Sequence, residues 1–258
     1  MRVRPAGDFD YEQHGTGYAS VRRPDPRIEA LVNTALGDTR TVLNIGAGAG
    51  SYEPTDRYVL AVEPSATMRA QRPHAAPPAI DAAAEQLPFD DNSFDATMAI
   101  MTIHQWSGVD QGLQEMRRVS RGRVLVLTVD APALRDFWLT DYIPEVVAVE
   151  EARFPRLERV VNILAAGSSE VFVDVVAVPK DCTDGFGEAF YARPEAFLDA
   201  TVRAFTSGLV LTDPGAVKRG LHLLEQDLAS GAWDRKYGDL RTQDERQGAL
   251  RLVIAQQP

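Results

Sequence analysis

Cysteine is almost absent from the sequence, with Cys182 the single one among 258 residues. An intramolecular disulfide and a multi-cysteine zinc site are therefore excluded. The four histidines are scattered and give no ligand spacing such as H-E-x-x-H. We therefore expect no metal site.

Long apolar runs are also missing. No stretch approaches the roughly 20 apolar residues that cross a bilayer, and the first twenty residues contain no apolar signal core. These absences lead us to expect a soluble cytoplasmic protein without a membrane partner.

Positive charge is scarce. Lysine and arginine total 27 against 37 acidic residues, which gives a formal net charge of −10. The densest basic cluster, residues 117–121, is short. Because phosphate binding needs a concentrated positive field, we expect no nucleic-acid partner. The oligomeric state is left open by the sequence.

The chain alternates buried strands with helices or short crossovers. This alternation predicts an α/β fold with a mostly parallel sheet that is covered by helices on both faces. An amphipathic pattern at residues 27–37 predicts a helix that ends at a glycine. The predicted strands are TVLNIG, RYVLAVE (57–63), PPAID (77–81), FDATMAIM (94–101), GRVLVLTVD (122–130), VFVDVVAVP (171–179) and LRLVIA (250–255).

We interpret residues 1–258 as a single domain in four parts. An N-terminal lid and helix (1–37) precede the core of 38–130. Substrate-side additions follow at 131–248, including the strand at 171–179, and the last strand lies in 249–258.

Alternating glycines follow the first predicted strand, in the run NIGAGAG that begins at Asn44. A glycine turn at a strand end is expected to point backbone N–H groups into the crevice and to let a ligand approach closely. Taken alone, however, such glycines often form only a tight turn. Glu63 ends the next strand, where a carboxylate can accept hydrogen bonds from both ribose hydroxyls.

The spacing argues against a dinucleotide. The pattern G-x-G-x-x-G would place glycine at position 51, which is Ser51. Too few residues separate Gly50 from the next strand for a full crossover helix, so a pyrophosphate would find little helix N-terminus to bind. A nucleoside ligand without phosphates suits the site better.

Four segments occur together in order: NIGAGAG, AVEPSATM (61–68), AEQLPFDDNSFDA (84–96), and IHQWS with GLQEMRRV. As a set, they resemble class I S-adenosylmethionine-dependent methyltransferases, particularly the small-molecule type 11 branch that includes ubiquinone- and biotin-pathway enzymes. The resemblance covers about residues 38–130. It implies a Rossmann-like fold with a seven-stranded sheet, S-adenosylmethionine as cofactor and a small-molecule acceptor.

The resemblance also implies positions for cofactor binding. Glycine-turn residues would line the methionine end, Glu63 would hold the ribose, and the residues after it would flank the adenine. Ala99 would offer its carbonyl to the cofactor's amino group. The implied cofactor residues are Asn44, Gly46, Ala47, Gly48, Glu63, Pro64, Met68, Ala84, Glu85, Leu87 and Ala99.

Two positions depart from the family pattern. Asn44 stands where the family usually has Asp, and Ala83 where it often has Asp. Asn44 keeps a hydrogen-bonding side chain but loses a charge. We therefore expect either lower cofactor affinity or another site for the cationic amino group.

His104 is the candidate catalytic residue. It follows the fourth strand, where ligands collect in open α/β sheets, and imidazole titrates near neutral pH. It could act as a general base or position the acceptor, while a purely structural role beside Trp106 stays open.

The N-terminal segment resembles the mobile lid of such enzymes. Glycines beside Tyr11 and Tyr18 suit a flap that closes on a sulfonium, because ring faces attract cations. We place Tyr18 with the cofactor, and Tyr11 and His14 with the acceptor. A packed N-terminal helix is the alternative.

Further acceptor candidates lie beyond the fourth strand. Trp106, Trp138 and Tyr142 would supply apolar walls, although aromatic residues in helices are more often core. Asp181 and Asp184 could orient an acceptor hydroxyl or amine, with a turn that caps a helix as the alternative.

These observations predict methyl transfer from S-adenosylmethionine to an O, N or C nucleophile of a small metabolite. Three alternatives stay open: a nicotinamide-dependent oxidoreductase, a non-catalytic S-adenosylmethionine-binding protein and a tRNA methyltransferase.

Overall fold

The computed structural model describes residues 9–258, except for the side chains of His14 and Ser168. Within that range the chain forms a seven-stranded sheet in the order β3-β2-β1-β4-β5-β7-β6. β1 to β5 pair in parallel, whereas β7 runs antiparallel to both β5 and β6. The strands are β1 (Thr41–Ile45), β2 (Tyr58–Val62), β3 (Ala79–Ile80), β4 (Phe94–Ile100), β5 (Ser120–Val129), β6 (Glu170–Pro179) and β7 (Glu245–Gln256).

Helices cover both faces of the sheet. The α-helices are α1 (Tyr11–His14), α2 (Tyr18–Val21), α3 (Pro26–Leu36), α4 (Ala66–Arg69), α5 (Val109–Val119), α6 (Glu145–Arg153), α7 (Leu157–Leu164), α8 (Ala200–Ala204), α9 (Ser207–Leu211), α10 (Pro214–Ser230) and α11 (Ala232–Tyr237). Short 3-10 helices lie at Ile103–Gln105, Ala131–Asp136, Trp138–Asp141, Ala166–Ser168, Gly187–Phe190, Pro194–Leu198 and Gly238–Arg241.

Consecutive residues of the strands enter different cores, as the two-residue period of a strand requires. Val42 packs with α3 and the segments beyond β5, whereas Leu43 packs with α5 and α7 on the other face. Most of the additions after β5 therefore cover one face of the sheet, whereas α7 covers the other.

Local signals explain the ends of α3. The Asp25 carboxylate accepts a hydrogen bond from the Arg27 amide at 3.0 Å, and proline occupies the first helical position. Gly37 ends the helix with a φ of 59°, a conformation that favours glycine. The amphipathic pattern thus predicts this helix correctly.

The connection from β1 to β2 contains no α-helix within residues 46–57, as the short spacing predicts. The predicted strands are confirmed, and β7 begins five residues before the predicted start at Leu250. No helix in the described part of the chain is long and apolar enough to cross a membrane.

Candidate active site

The glycine turn after β1 has the backbone conformations that the sequence suggests. Gly46 and Gly48 have φ values of 68° and 53°, which favour glycine over residues with a Cβ. A Cβ on Gly46 would also lie 2.2 Å from Oγ1 of Thr102. Both the conformation and the close approach of the segment after β4 therefore require glycine at position 46.

The turn amides are used within the protein. The N–H groups of Gly46 and Ala47 donate to the carbonyl of Val62 at 2.8 and 3.0 Å, and Gly48 N–H donates to the Glu63 carboxylate at 2.8 Å. The expectation that these amides point into the crevice is therefore wrong, because the adjacent end of β2 takes their hydrogen bonds. Such a turn offers little to a phosphate group.

Glu63 stands at the end of β2 with only 7% of its surface exposed. Its two carboxylate oxygens accept hydrogen bonds from Gly48 N–H and Ser65 N–H, both at 2.8 Å. Burial raises the pKa of Glu63, although the two amides oppose this shift. A carboxylate has about four lone-pair positions, so two stay available for ligand hydroxyls.

Asn44, at the base of the turn, is tied to a buried ion pair. Its Nδ2 donates to Oε1 of Glu53 at 3.0 Å, and Arg72 pairs with the same carboxylate at 2.8 Å. Within residues 9–258 the buried Oδ1 of Asn44 has no hydrogen-bond partner. Because Asn44 borders the cleft, a ligand N–H group there could supply the missing hydrogen bond.

These groups surround a cleft of about 440 Å³, here called the glycine-turn cleft. Ten of the twelve sequence-predicted cofactor residues line it, namely Tyr18, Asn44, Gly46, Ala47, Gly48, Glu63, Pro64, Met68, Ala84 and Glu85. Leu87 and Ala99 lie instead in the core on the α5 face, although Ile100, next to Ala99, lines the cleft.

The far wall of the glycine-turn cleft is formed around Glu85. Its Oε1 accepts hydrogen bonds from Ser107 Oγ at 2.9 Å and Gly108 N–H at 2.7 Å. Trp106 lies against Gly112 of α5, where a Cβ would come within 2.4 Å of the indole. Trp106 also lines the glycine-turn cleft, and its assignment to the acceptor stays a prediction.

The N-terminal segment covers the cleft. Glu12 of α1 accepts hydrogen bonds from Ser65 Oγ at 2.6 Å and Thr67 Oγ1 at 3.0 Å. The rings of Tyr11 and Tyr18 meet edge to face at 5.8 Å. The segment therefore packs against the start of α4 as a lid. The side chain of His14 lies outside the described part of the chain.

A second space, here called the apolar cavity, adjoins the glycine-turn cleft and has a volume of about 100 Å³. Tyr11, Tyr18 and Met101 line both spaces. Met101 follows β4 with a φ of 51°, which is uncommon outside glycine and is often found at functional sites. The walls include Phe9, Val129, Leu134, Phe137, Leu139, Val146, Phe154, Phe186, Phe205 and Leu209.

His104 lines the apolar cavity from the 3-10 helix after β4. Its ring lies 4.2 Å from the ring of Phe154, measured between centroids. Burial, together with the nearby cations of Arg153 and Arg22, lowers the pKa of His104 well below 6.5. The imidazole is therefore neutral at neutral pH and can accept a hydrogen bond or a proton.

Arg22, after the lid helix α2, anchors the lid to the rest of the chain. Its Nε donates to Oδ1 of Asp184 at 2.6 Å, and Tyr52 donates its hydroxyl to Oδ2 at 2.9 Å. Arg22 also lines the apolar cavity. Asp184 thus holds Arg22 in place without lining the cavity itself.

Four predicted acceptor residues line neither space and are corrected. Trp138 is buried and donates from its indole to the carbonyl of Tyr191 at 2.8 Å. Tyr142 donates to Asp227 at 2.9 Å. Asp181 is exposed and pairs with Arg27 at 2.7 Å. Asp184 accepts hydrogen bonds from Arg22 and Tyr52, as described above. The aromatic residues face the core, and the carboxylates are held by arginines.

Several wall residues carry no recognisable sequence signal. Met101 has an ordinary apolar side chain, and only its backbone conformation distinguishes it. Glu188 lies in a polar stretch after β6, and its place on the cavity wall depends on β7, about 60 residues later. Among the described residues, no three His, Cys, Asp or Glu side chains group to hold a metal ion.

Comparisons with known proteins agree with this geometry. A family model described as a methyltransferase domain matches residues 43–127. A solved structure from Anabaena variabilis ATCC 29413, named as a candidate methyltransferase from an antibiotic biosynthesis pathway, is 34% identical. The alignment covers 91% of this chain and 98% of that one, with a TM-score of 0.84.

Two further matches have lower sequence identity or cover less of the chain. An S-adenosylmethionine-dependent methyltransferase of Thermotoga maritima has the same fold, at 18% identity and a TM-score of 0.58, over 96% of this chain and 98% of its own. The uncharacterised Escherichia coli K12 protein YafE is 40% identical over 60 residues, which are 22% of this chain and 29% of that protein.

Proposed function

We propose that this chain, which belongs to the class I S-adenosylmethionine-dependent methyltransferases of the type 11 branch, methylates an oxygen, nitrogen or carbon nucleophile of a small, largely apolar metabolite. The observation that carries the proposal is the junction of two spaces. Tyr11, Tyr18 and Met101 line both the glycine-turn cleft and the apolar cavity, so the two spaces meet at these residues.

The residues of the glycine-turn cleft fit S-adenosylmethionine. Glu63 offers free lone pairs to ribose hydroxyls, and the unpartnered Oδ1 of Asn44 offers an acceptor to an ammonium group. Because the turn amides are already bonded to β2, the cleft favours a nucleoside over a pyrophosphate. When bound, S-adenosylmethionine supplies an electrophilic methyl group on a sulfonium.

The chain itself contributes orientation and exclusion of water. The lid places Tyr11 and Tyr18 over the junction, where aromatic faces favour a positive charge. Apolar walls remove water from an acceptor and hold it near the junction. This arrangement supports catalysis mainly by proximity.

His104 is proposed to accept a hydrogen bond or proton from the acceptor in the apolar cavity. Its lowered pKa keeps the imidazole neutral but also makes it a weaker base. Positioning of the nucleophile is therefore favoured over complete removal of its proton.

The net charge of −10 supports a small acceptor over tRNA. A cytoplasmic location and the absence of a nucleic-acid partner stay predictions.

Calorimetric titration with S-adenosylhomocysteine and, separately, with NADH tests the cofactor assignment. We expect binding of the first and no binding of the second. The reverse result would favour the nicotinamide oxidoreductase. Failure of S-adenosylhomocysteine to bind would overturn the proposal.

Turnover is tested by release of S-adenosylhomocysteine from S-adenosylmethionine with a panel of small apolar phenols, amines and carboxylic acids. We expect at least one acceptor to be methylated. Cofactor binding without turnover, for acceptors that bind the cofactor complex, would favour the non-catalytic alternative.

A further inference from the structure

Glu188 is a buried carboxylate on the wall of the apolar cavity. It lies in the 3-10 helix Gly187–Phe190 and is 5% exposed. Oε2 accepts a hydrogen bond from Ala249 N–H at 2.8 Å. Within residues 9–258 the other oxygen, Oε1, has no hydrogen-bond partner. The residue is buried, and Oε1 is not among the side-chain atoms that are fully shielded without a partner. Because Glu188 lines the cavity, a ligand group there could donate a hydrogen bond to this oxygen.

The fold makes space for this carboxylate in β7. A Cβ on Gly248 would lie 2.2 Å from Oε1 of Glu188. Gly248 does not have a positive φ, so its backbone conformation does not require glycine. Glycine inside a strand weakens it and often marks the close approach of another group. Here that group is the carboxylate of Glu188.

The pairing of β7 is irregular at the same place. Val175 pairs with Arg251 and Ala177 pairs with Gln247, so four steps along β7 match two along β6. Such bulges redirect backbone groups and are common beside active sites. The Ala249 amide lies in this irregular stretch and donates to Glu188.

Other charged residues on the cavity wall are paired within the chain. Arg22 pairs with Asp184 at 2.6 Å, and Glu150 pairs with Arg153 at 2.9 Å. Those carboxylates already have cationic partners, whereas Glu188 has none among residues 9–258.

Two arginines are close enough for their charges to act on Glu188, but both bind other groups. Arg246 donates to the carbonyl of Asp136 at 2.7 Å, and Arg251 pairs with Asp130 at 3.3 Å. Their positive charges offset only part of the effect of burial, so the pKa of Glu188 is raised.

We propose that Glu188 is the polar recognition residue of the apolar cavity and that its free oxygen binds a hydroxyl or amine donor on an otherwise apolar acceptor. This inference rests on the proposed function, because it assigns the acceptor to this cavity. It narrows the substrate class to apolar molecules that carry a hydrogen-bond donor apart from the group that is methylated.

Three matched probes test the proposal: 3-phenylpropylamine, 3-phenylpropanol and propylbenzene. Each is titrated calorimetrically into the protein with and without S-adenosylhomocysteine. We expect the amine or the alcohol to bind wild type about tenfold or more tightly than propylbenzene, the scale of a hydrogen bond to a charged group. Equal affinities for the three probes, or no binding by any, would overturn the inference.

Glu188→Gln separates the two donor classes. The substitution removes the charge but keeps a carbonyl oxygen. The affinity for the amine relative to propylbenzene should therefore fall about tenfold, whereas the affinity for the alcohol relative to propylbenzene should change about threefold or less. Glu170→Gln, at the exposed start of β6, is the control and should leave all three affinities unchanged. An amine preference that is unchanged in Glu188→Gln would count against the proposal. If wild type prefers the alcohol alone, Gly248→Ala is the deciding variant.

Gly248→Ala tests the same carboxylate without replacing it. The added methyl group must displace Oε1, so the donor preference should be lost while Glu188 stays in the sequence. Retention of the full preference would contradict the inference.

Binding of S-adenosylhomocysteine is measured for each variant and should match wild type. If wild type itself fails to bind it, the proposed function fails. If it binds but the probes are not distinguished, only the role of Glu188 fails.

Discussion

The side-chain amide of Asn44 donates a hydrogen bond of 3.0 Å to the carboxylate of Glu53. Glu53 is buried and is also paired with Arg72 at 2.8 Å. The negative charge that the family usually has at position 44 therefore lies nine residues later. Asn44 suits this arrangement because an amide, unlike a carboxylate, can donate to Glu53.

Asn44→Asp should destabilise the protein. It replaces the donated hydrogen bond with a repulsion between two buried carboxylates, at a cost of about 2 kcal/mol or more in unfolding free energy. The folded-state pKa of the new carboxyl would be raised, so its cost is absent at low pH and grows as the pH rises. Urea denaturation at about pH 5 and about pH 8 measures the difference.

Glu53→Gln is the matched second change. In the Asn44→Asp background it provides an amide that can donate to the new carboxylate at position 44, so the double variant should recover at least half of the lost stability. A stable Asn44→Asp single variant at the higher pH, or no recovery in the double variant, would show that the two side chains are not coupled.

Glu63→Ala should weaken binding of S-adenosylhomocysteine by about 1.5–3 kcal/mol, the scale of charge-assisted hydrogen bonds. Titration calorimetry measures the affinity, and a thermal unfolding curve checks the glycine turn, since Glu63 also holds the Gly48 amide. Glu85→Gln is the comparison within the same cleft. Its effect should be smaller, because the amide oxygen can keep the bond from Gly108 N–H. Unchanged affinity in Glu63→Ala would mean that the ribose is held elsewhere.

The sequence predicts the sheet and one side of the site well for a physical reason. Strands buried on both faces have a continuous apolar pattern, and Gly46 and Glu63 follow such strands directly. Parallel strand ends meet at one edge of the sheet, so their positions in space follow from their positions in the chain.

The other side of the site depends on contacts that have no periodic pattern. Trp138 and Tyr142 are aromatic residues in or beside a short helix, and only the packing of α10 and α11 decides that they face the core. Asp184 follows a strand like a ligand residue, but Arg22, far away in the chain, takes its carboxylate. Such pairings cannot be read from local spacing.

Arg22→Met should loosen the lid. Removing one partner of a buried ion pair leaves Asp184 without its cation, at a cost of about 3 kcal/mol in unfolding free energy. Arg159→Met, which breaks the exposed pair with Asp110, is the matched control and should cost less than about 1 kcal/mol. Urea denaturation measures both variants.

Amide hydrogen exchange gives the local test of the same variant. In Arg22→Met, the backbone amides of residues 9–22 should exchange faster than the loss of global stability alone explains. The reason is that the ion pair joins this segment to the rest of the chain. Equal protection of the segment in both variants would show that the lid is held by other contacts.

His104 should make the folded state less stable in acid. Its folded-state pKa lies well below 6.5, whereas a histidine in the unfolded chain takes up a proton near 6.5. The unfolded state therefore binds more protons as the pH falls, and the contribution of His104 to stability is present above pH 6.5 and lost below it. Between about pH 7.5 and pH 5, wild type should lose up to about 2 kcal/mol more unfolding free energy than His104→Gln. His222→Gln, at an exposed position on α10, should follow wild type. If wild type and His104→Gln have the same pH dependence, the imidazole is solvated in the folded state, and its proposed position in a water-excluding cavity is wrong.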